Sequence, residues 1–276
     1  MRDILPTIRE NLCNLWINME SLIILKIGGN VINNPPTLEV VLRDFAAWQS
    51  PKILVHGGGK IADKLMEQLC ITPKMVDGRR ITDRETLDVV TMVYAGLINK
   101  NMVAKLQSHA CNAIGLTGAD ANLIPAVKRP VKDIDYGFVG DLNPGCISVN
   151  TLANLVKSGL VPVLAPITHD GAGSLLNTNA DTITSGVAVA LAKSFRVQLV
   201  FCFEKKGVLR NPDDEHSIID FLNEDLYRQY KEEGVITAGM IPKLDNAFVA
   251  LHSGVAKVRI CSPANLMAGT CIQICK

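Results

Sequence analysis

Two glycine-rich turns, each directly after an apolar run typical of a β-strand, carry the residues best suited to chemistry. Residues 26–29 read Lys-Ile-Gly-Gly, and residues 56–59 read His-Gly-Gly-Gly. Because glycine lacks a Cβ atom, its backbone N–H can approach a phosphate or carboxylate closely. A helix that begins after such a turn adds further attraction for anions at its N-terminus. We therefore expect two neighbouring strand ends to hold a phosphate beside an anionic acceptor.

The second turn is not a P-loop, although Lys60 follows its glycines. A P-loop has four residues between its first glycine and the Gly-Lys pair, and then Ser or Thr, whereas Ile61 follows Lys60 here. By itself the triplet is also compatible with an ordinary tight turn. We interpret His56 as a residue that stabilises this turn and not as a base.

A pair of arginines, Arg79 and Arg80, lies between a glycine and the start of a long predicted helix. Gly78 favours a turn, and Thr82 or Asp83 can cap the helix. A guanidinium held at this point offers two parallel N–H donors to a carboxylate. The alternative is a solvent-exposed arginine pair beside a helix cap, and the residue types leave both interpretations open.

Two later segments combine polar groups with predicted helix starts. Residues 177–181 read Asn-Thr-Asn-Ala-Asp, so Asn179 or Asp181 can cap a helix, or the segment can hold a substrate and orient cations. Lys243 follows Gly-Met-Ile-Pro at 239–242, and the proline suits a first helical turn. A cation is unfavourable at a helix N-terminus, so Lys243 either faces a polyanion or is an ordinary solvated lysine.

Together these five segments resemble the amino-acid kinase family, and within it the members that act on N-acetylglutamate. The match follows chain order and extends over about residues 22–273. The resemblance implies an α/β fold, an open three-layer αβα sandwich with a mainly parallel central sheet. It also implies an acyl-glutamate-binding lobe at 21–175, which would include a dimer interface, an ATP-binding lobe at 176–276, and an N-terminal extension at 1–20.

The resemblance assigns roles to individual residues. Lys26 and Lys243 would flank the transferred phosphoryl group, and the catalytic carboxylate Asp181 would orient both. The residues expected to bind the acyl-glutamate are Gly58, Gly59, Arg79, Arg80 and Asn177. The residues expected to bind the nucleotide or its transferring phosphate are Gly28, Gly29, Glu204, Lys205, Lys206, Gly207 and Gly239.

The activity implied by the resemblance is phosphorylation of the γ-carboxylate of N-acetyl-L-glutamate by ATP, in ornithine and arginine biosynthesis. ATP would enter with Mg²⁺, and we expect no metal site made by the protein alone. A γ-carboxylate has a reference pKa of about 4.3, so it is ionised near neutral pH and needs no general base. The difficulty is the repulsion between two anions, which two lysines, Mg²⁺ and backbone N–H groups can offset.

Three alternatives remain open. Arg79 stands where the family usually has an apolar residue near the acyl methyl group. A guanidinium is better matched to a carboxylate than to a methyl group, so the acceptor could be N-succinyl-L-glutamate. The second alternative is another activity of the family, on carbamate or a uridine nucleotide. The third is a catalytically inactive sensor with the same fold.

Charge and composition narrow the class of protein. The chain has 276 residues, 28 basic and 27 acidic, with a net charge of +1, which argues against binding to nucleic acid or an anionic membrane. No apolar run approaches the ~20 residues that span a bilayer, and no secretory signal is evident, so we expect a cytoplasmic protein. Eight cysteines form no C-x-x-C pair and are expected to be reduced. A disulfide or metal role for Cys271 and Cys275 is the alternative.

Short apolar runs alternate with helical patterns, which predicts the same α/β class without the resemblance. The predicted strands are 22–27, 52–56, 112–117, 160–164, 197–203, 256–261 and 270–274. The predicted helices are 37–48, 60–69, 84–109, 149–158, 180–194, 223–233 and 240–253. Residues 130–148 are expected to form a hairpin-rich insertion.

The helix predicted at 84–109 is unusually long and has a broad apolar face. Such a helix packs either on the sheet or against a second copy of itself, and we expect a homodimer. Within residues 1–18, Thr7 to Trp16 form a short accessory helix, or else Met19 is the true translation start. The sequence leaves these two interpretations open.

Overall fold

The computed structural model describes residues 19–76, 78–211, 213–236 and 240–274. The strands are β1 Ser21–Ile27, β2 Lys52–His56, β3 Met75–Val76, β4 Arg79–Arg80, β5 Ala113–Leu116, β6 Ala126–Lys128, β7 Gly140–Leu142, β8 Val161–Leu164, β9 Ile167–His169, β10 Leu175–Asn177, β11 Arg196–Cys202, β12 Phe221–Leu222, β13 Lys257–Ser262 and β14 Asn265–Ile272. The helices are α1 Gly29–Ile32, α2 Pro35–Ala46, α3 Gly59–Gln68, α4 Arg84–Thr91, α5 Asn99–Ser108, α6 Val149–Lys157, α7 Ala180–Leu191, α8 Glu224–Glu232 and α9 Ile241–His252.

An 8-stranded sheet in the order β12-β14-β13-β11-β1-β2-β8-β5 forms the centre of the molecule. Every neighbouring pair in it is parallel except β13 and β14, which are antiparallel. Because β1 lies between β11 and β2, the loops that follow these three strands meet at one edge of the sheet. Ligands of open parallel sheets bind at this carboxyl edge.

Side chains along β1 alternate between two hydrophobic cores. Leu22 and Ile24 belong to the buried cluster on one face, whereas Ile23, Leu25 and Ile27 belong to the cluster on the other. Helices α6 to α9 cover the first face, and α1 to α5 cover the second. Burial on both faces explains why β1 is apolar throughout instead of alternating with polar residues. The predicted αβα sandwich with a mainly parallel sheet is confirmed.

All seven predicted helices occur, with ends within three residues of the expected positions. Their caps follow from sequence: Asn34 accepts a hydrogen bond from the Thr37 N–H at α2, and Asp83 accepts one from the Thr86 N–H at α4. The long helix at 84–109 is not uniformly α-helical. A π-helical segment, Met92–Ile98, connects α4 to α5, and π segments are frequent at functional sites.

The sequence did not predict several short elements. Three two-stranded hairpins, β3–β4, β6–β7 and β9–β10, lie outside the central sheet, and β12 and α1 were also missed. The insertion expected at 130–148 does contribute to the β6–β7 hairpin. Strands of two or three residues are too short to show an apolar period, so only their turn residues signal them.

No helix in the described part of the chain is long and apolar enough to cross a membrane.

The cysteines of the described residues are free thiols, namely Cys70, Cys111, Cys146, Cys202, Cys261 and Cys271. Cys275, the proposed partner of Cys271, lies outside the described residues, as do Asp77, Gly239 and residues 1–18. The two interpretations of residues 1–18 therefore stay open.

Candidate active site

Lys26 and Asp181 form an ion pair at the carboxyl edge of the sheet. Lys26 is near the end of β1, its side chain is only 9% exposed, and its Nζ atom lies 2.9 Å from Oδ1 of Asp181. Oδ1 is buried and has no aligned hydrogen bond among the described residues, so the contact is a charge pair. Asp181 lies in the first turn of α7, where the Asn179 side chain caps the helix by accepting from the Asp181 and Thr182 N–H groups.

The second predicted lysine contacts the same aromatic ring as Lys26. Lys243, in the first turn of α9, has its Nζ atom 4.0 Å from the centroid of the Phe203 ring, and the Nζ atom of Lys26 is 5.4 Å from the same centroid. Burial lowers the pKa of Lys243, an effect that Asp181 and Glu204 oppose and Lys26 reinforces. The two lysines therefore share one site, although 216 positions of sequence (243 − 26 − 1) separate them.

The two glycine turns are neighbours, as expected. The Gly57 N–H donates to the Ile27 carbonyl over 3.1 Å, which joins the turn after β2 to the end of β1. A cavity of about 230 Å³ opens beside these turns. Its wall contains every predicted substrate-binding residue together with two of the catalytic residues, namely Gly58, Gly59, Arg79, Arg80, Asn177, Lys26 and Asp181.

A second cavity, of about 500 Å³, adjoins the first and shares Gly29 and Gly59 with it. Predicted nucleotide-binding residues on its wall are Gly28, Gly29, Glu204 and Lys205, and Lys243, Lys60 and Phe203 join them. Two other predicted nucleotide-binding residues in the described part of the chain, Lys206 and Gly207, do not belong to this wall. Lys206 forms an exposed ion pair with Glu215 at 3.2 Å, and Gly207 packs so closely on Thr270 that an added Cβ atom would lie 2.7 Å from Oγ1.

Arg80 is held in place by a carboxylate that sequence reasoning missed. Its Nη1 atom donates to Asp63 Oδ1 over 2.6 Å, and its Nη2 atom lies 3.5 Å from the Gly59 carbonyl oxygen. Burial alone lowers the pKa of Arg80, but Asp63 and Tyr94 outweigh this effect and raise it overall. Asp63 lies one turn into α3, four residues after Gly59. The four-residue spacing between Gly59 and Asp63 is the sequence feature from which this carboxylate could have been predicted.

Arg79 lies on the same cavity wall but is not fixed by a partner. It is half-buried, and its guanidinium has no ion pair or hydrogen bond with any of the described residues. Asn177, by contrast, donates from Nδ2 to Thr82 Oγ1 over 3.0 Å, and that hydroxyl donates to the Arg80 carbonyl oxygen. The two arginines thus differ: one is fixed and the other is available to a ligand.

His56 lies buried beneath the second glycine turn. Its Nδ1 atom is 2.8 Å from the Gly57 carbonyl oxygen, and its Nε2 atom is 3.2 Å from Nδ2 of Asn99. Burial lowers the pKa of His56 to about 4, so the ring is neutral near neutral pH. The tautomer that satisfies both contacts donates from Nδ1 and accepts at Nε2. The interpretation of His56 as a residue that stabilises the turn is confirmed.

The π-helical segment determines the shape of this turn. Gly58 has φ +155°, and an added Cβ atom would collide with Cδ1 of Ile98 and lie 3.1 Å from Cδ1 of Tyr94. Only glycine allows the turn to pass this close to the helix. Tyr94 and Ile98 belong to the π segment, and Asn99 follows it directly. The π segment therefore lies against Gly58 and Arg80, and Asn99, the residue after it, contacts His56.

Similarity to known proteins covers almost the whole chain. The chain belongs to the amino acid kinase family, which it matches over residues 21–262. It is 57% identical over 250 residues to an acetylglutamate kinase of Cytophaga hutchinsonii, which covers 90% of this chain and 94% of that protein. It is 54% identical over 256 residues to an acetylglutamate kinase of Phocaeicola vulgatus, covering 92% and 99% of the two chains. The crystal structure of smu.665 from Streptococcus mutans has 29% identity and a TM-score of 0.72, covering 91% of this chain and 98% of that one.

We expect the substitution Gly58→Ala to destabilise the protein by about 1–3 kcal/mol, because the added methyl group overpacks the contact with Ile98. Urea unfolding followed by circular dichroism measures this change. Gly96→Ala, in the same π segment, is the matched control, since its Cβ atom would meet nothing within 4 Å. Equal stability of the two variants would show that the Gly58 turn does not need its close approach.

Proposed function

We propose that the protein is an ATP-dependent kinase that phosphorylates the γ-carboxylate of N-acetyl-L-glutamate. The observation that carries the proposal is the meeting of Lys26 and Lys243 at one site, where Asp181 is 2.9 Å from Lys26. The acetylglutamate kinases described above support the choice of acceptor. Amino-acid biosynthesis toward arginine follows from that activity.

The division of the cleft supports two separate anionic substrates. The cavity with Arg79, Arg80 and Asn177 offers guanidinium and amide donors for an acceptor that carries carboxylates. The cavity with Glu204 and Lys205 lies beyond the lysines and is large enough for part of a nucleotide. We place the acceptor in the first and ATP in the second, so that the phosphoryl group passes between the lysines.

Electrostatics accounts for the chemistry without a general base. The γ-carboxylate is already ionised near neutral pH, and the only histidine next to the glycine turns among the described residues is buried and neutral. Lys26 and Lys243 neutralise charge that spreads over the phosphoryl oxygens in a loose transition state. We expect the N–H groups of Gly28, Gly29 and Gly58 to donate to the same oxygens. Asp181 keeps the two ammonium groups directed at that point.

Magnesium enters this scheme as part of the substrate, MgATP. The described residues contain no group of three or more His, Cys, Asp or Glu side chains that would hold a metal ion. Asp181 and Glu204 are the carboxylates nearest the lysines and suit a hard cation that is carried by phosphates. A cytoplasmic location and the lack of a nucleic-acid or membrane partner stay predictions from the sequence.

The succinyl alternative is not favoured, because the relatives carry the name acetylglutamate kinase. The free guanidinium of Arg79 is nevertheless a reason to compare the two acyl-glutamates directly. Purified protein with MgATP and hydroxylamine is expected to form the hydroxamate of N-acetylglutamate with a higher kcat/KM than that of N-succinylglutamate. Carbamate and uridine monophosphate, whose phosphorylation is followed by the release of ADP because neither gives an acyl-glutamyl hydroxamate, serve as controls for the other family activities. A higher kcat/KM for any of these acceptors would overturn the assignment.

The same assay with Arg79→Leu tests whether Arg79 binds the acceptor. If Arg79 contacts the acceptor, KM for N-acetylglutamate rises while KM for ATP stays constant. Arg84→Leu is the matched control, because Arg84 lies 4.3 Å over the Phe138 ring and not on the cavity wall. An unchanged KM in both variants would remove Arg79 from the binding site.

We expect Asp181→Asn to lower kcat by about 100-fold, equivalent to ~3 kcal/mol, because the lysines lose the charge that directs them. Steady-state kinetics measures the loss, and an unchanged melting temperature shows that the fold is intact. Asp88→Asn, an exposed change on α4, controls for the loss of one negative charge. A kcat equal to that of the wild type would contradict the role of Asp181.

The homodimer expected from the sequence has a specific candidate surface. Met92 and Leu97 on the π segment are 55% and 53% exposed. They are five residues apart, which is the hydrogen-bond period of a π-helix, so they lie on one face. Large exposed apolar side chains grouped in this way are typical of an interaction surface. We propose that this face meets the same face of a second copy.

Sedimentation velocity tests this surface with the single substitution Leu97→Glu. We expect the wild type to sediment as a dimer and the variant as a monomer, since a buried unpaired carboxylate is costly. Val131→Glu changes another exposed apolar residue, which is 63% exposed and does not belong to the π segment, and this variant should remain dimeric. A monomeric wild type, or a variant that dimerises as well as the wild type, would exclude this face.

A further inference from the structure

One aromatic ring contacts both lysines of the candidate site. The centroid of the Phe203 ring is 4.0 Å from Nζ of Lys243 and 5.4 Å from Nζ of Lys26. Both distances lie within the roughly 6 Å over which the negative face of an aromatic ring attracts a cation. Phe203 directly follows β11 and was not among the residues predicted to take part in binding or catalysis.

Contacts within the protein hold the Phe203 ring in place. Phe203 stacks on Phe201, with ring centroids 5.9 Å apart and an angle of 5° between the planes. Alternation along an extended strand places these two side chains on the same side, and Phe201 is buried in the core. The Phe203 N–H also donates to the Cys261 carbonyl oxygen over 2.9 Å, which attaches the backbone to β13.

Two ammonium groups in one cleft repel each other, and the direct ion pair satisfies only one of them. Asp181 lies within ion-pair distance of Lys26, and no carboxylate in the described residues lies within 4.0 Å of Lys243 Nζ. The charged groups facing Lys243 are Lys26 on β1, Asp181 on α7 and Glu204 after β11. The Phe203 ring is the contact that stabilises the Lys243 cation at short range.

We propose that Phe203 is a positioning residue for phosphoryl transfer, whose ring face holds the ammonium group of Lys243, and more weakly that of Lys26, at the point where the phosphoryl group passes. The inference rests on the proposed kinase function. In this role the ring acts through the lysines and does not itself contact the reacting atoms. It also favours the charged form of Lys243, which burial disfavours.

The sharpest test keeps the shape of the ring and changes only its charge distribution. Phenylalanine at position 203 is replaced in turn by 4-fluoro-, 3,5-difluoro- and 3,4,5-trifluorophenylalanine, which progressively weaken the negative ring face. We expect kcat for N-acetylglutamate with MgATP to fall stepwise, by about tenfold at trifluorophenylalanine. Phe203→Tyr should keep most of the activity, and Phe203→Leu should lose as much as the trifluoro protein.

The same substitutions at Phe45 provide the matched control. The Phe45 ring lies 5.3 Å from Nζ of Lys52, a lysine at the start of β2, at the opposite end of the strand from the site. Fluorination there should leave kcat unchanged. A flat kcat across the Phe203 series, or the same fall in the Phe45 series, would overturn the proposal.

A second measurement does not depend on the acceptor. Titration of lysine ¹³Cε signals by NMR, with Lys243 assigned from the Lys243→Arg spectrum, should show a lower pKa of Lys243 in Phe203→Leu than in the wild type. Removal of a contact that favours the cation lowers the pKa. An unchanged pKa would refute the inference even if the enzyme proves active. Failure of the wild type to phosphorylate N-acetylglutamate, with the pKa shifted as expected, would refute only the proposed function.

Discussion

Repulsion between anions is the constraint on which the site depends. An ionised acceptor and a polyphosphate meet only where fixed positive charge offsets their repulsion, and such charge must itself be held together against its own repulsion. Asp181 pairs with Lys26, and the Phe203 ring contacts the ammonium groups of both Lys26 and Lys243. We assign this task to these two groups. Lys26 and the Oδ1 atom of Asp181 are buried, so their interaction is stronger than the same contact would be in water.

The topology of the sheet makes this cluster possible. β1 pairs with β11 on one side and with β2 on the other, so the turns after these strands lie side by side. The lysine of β1, the ring after β11 and the glycines after β2 are therefore adjacent although they are remote in sequence. The helices α7 and α9 then bring a carboxylate and a second lysine over the same edge.

The sequence predicted the class of fold and most of the wall of the site, because these depend on strong local signals. Apolar runs marked the central strands, and glycine, lysine and amide residues marked the turns. The predicted cap at Asn179 is present. The position of Lys206 gives no support to its predicted role in nucleotide binding. Its side chain forms an exposed ion pair with Glu215 and does not belong to the described wall of the second cavity.

Tertiary contacts account for what the sequence did not show. A π-helical segment has nearly the same apolar pattern as an α-helix, so its position at Met92–Ile98 was not evident. Arg80 is contacted by Asp63 and Tyr94, which lie on two other elements. Only the folded chain brings these three residues together. Phe203 was only the last residue of the predicted strand 197–203, and its contact with two lysines depends on their convergence.

A double-mutant cycle on the two lysines tests the central claim most directly. kcat is measured for Lys26→Gln, Lys243→Gln and the double variant, with melting temperatures as a check on folding. If both ammonium groups act on one phosphoryl group, each single change lowers kcat strongly, and the double change costs clearly less than the product of the two. Effects that multiply independently, or a single change that leaves kcat unaltered, would contradict a shared site.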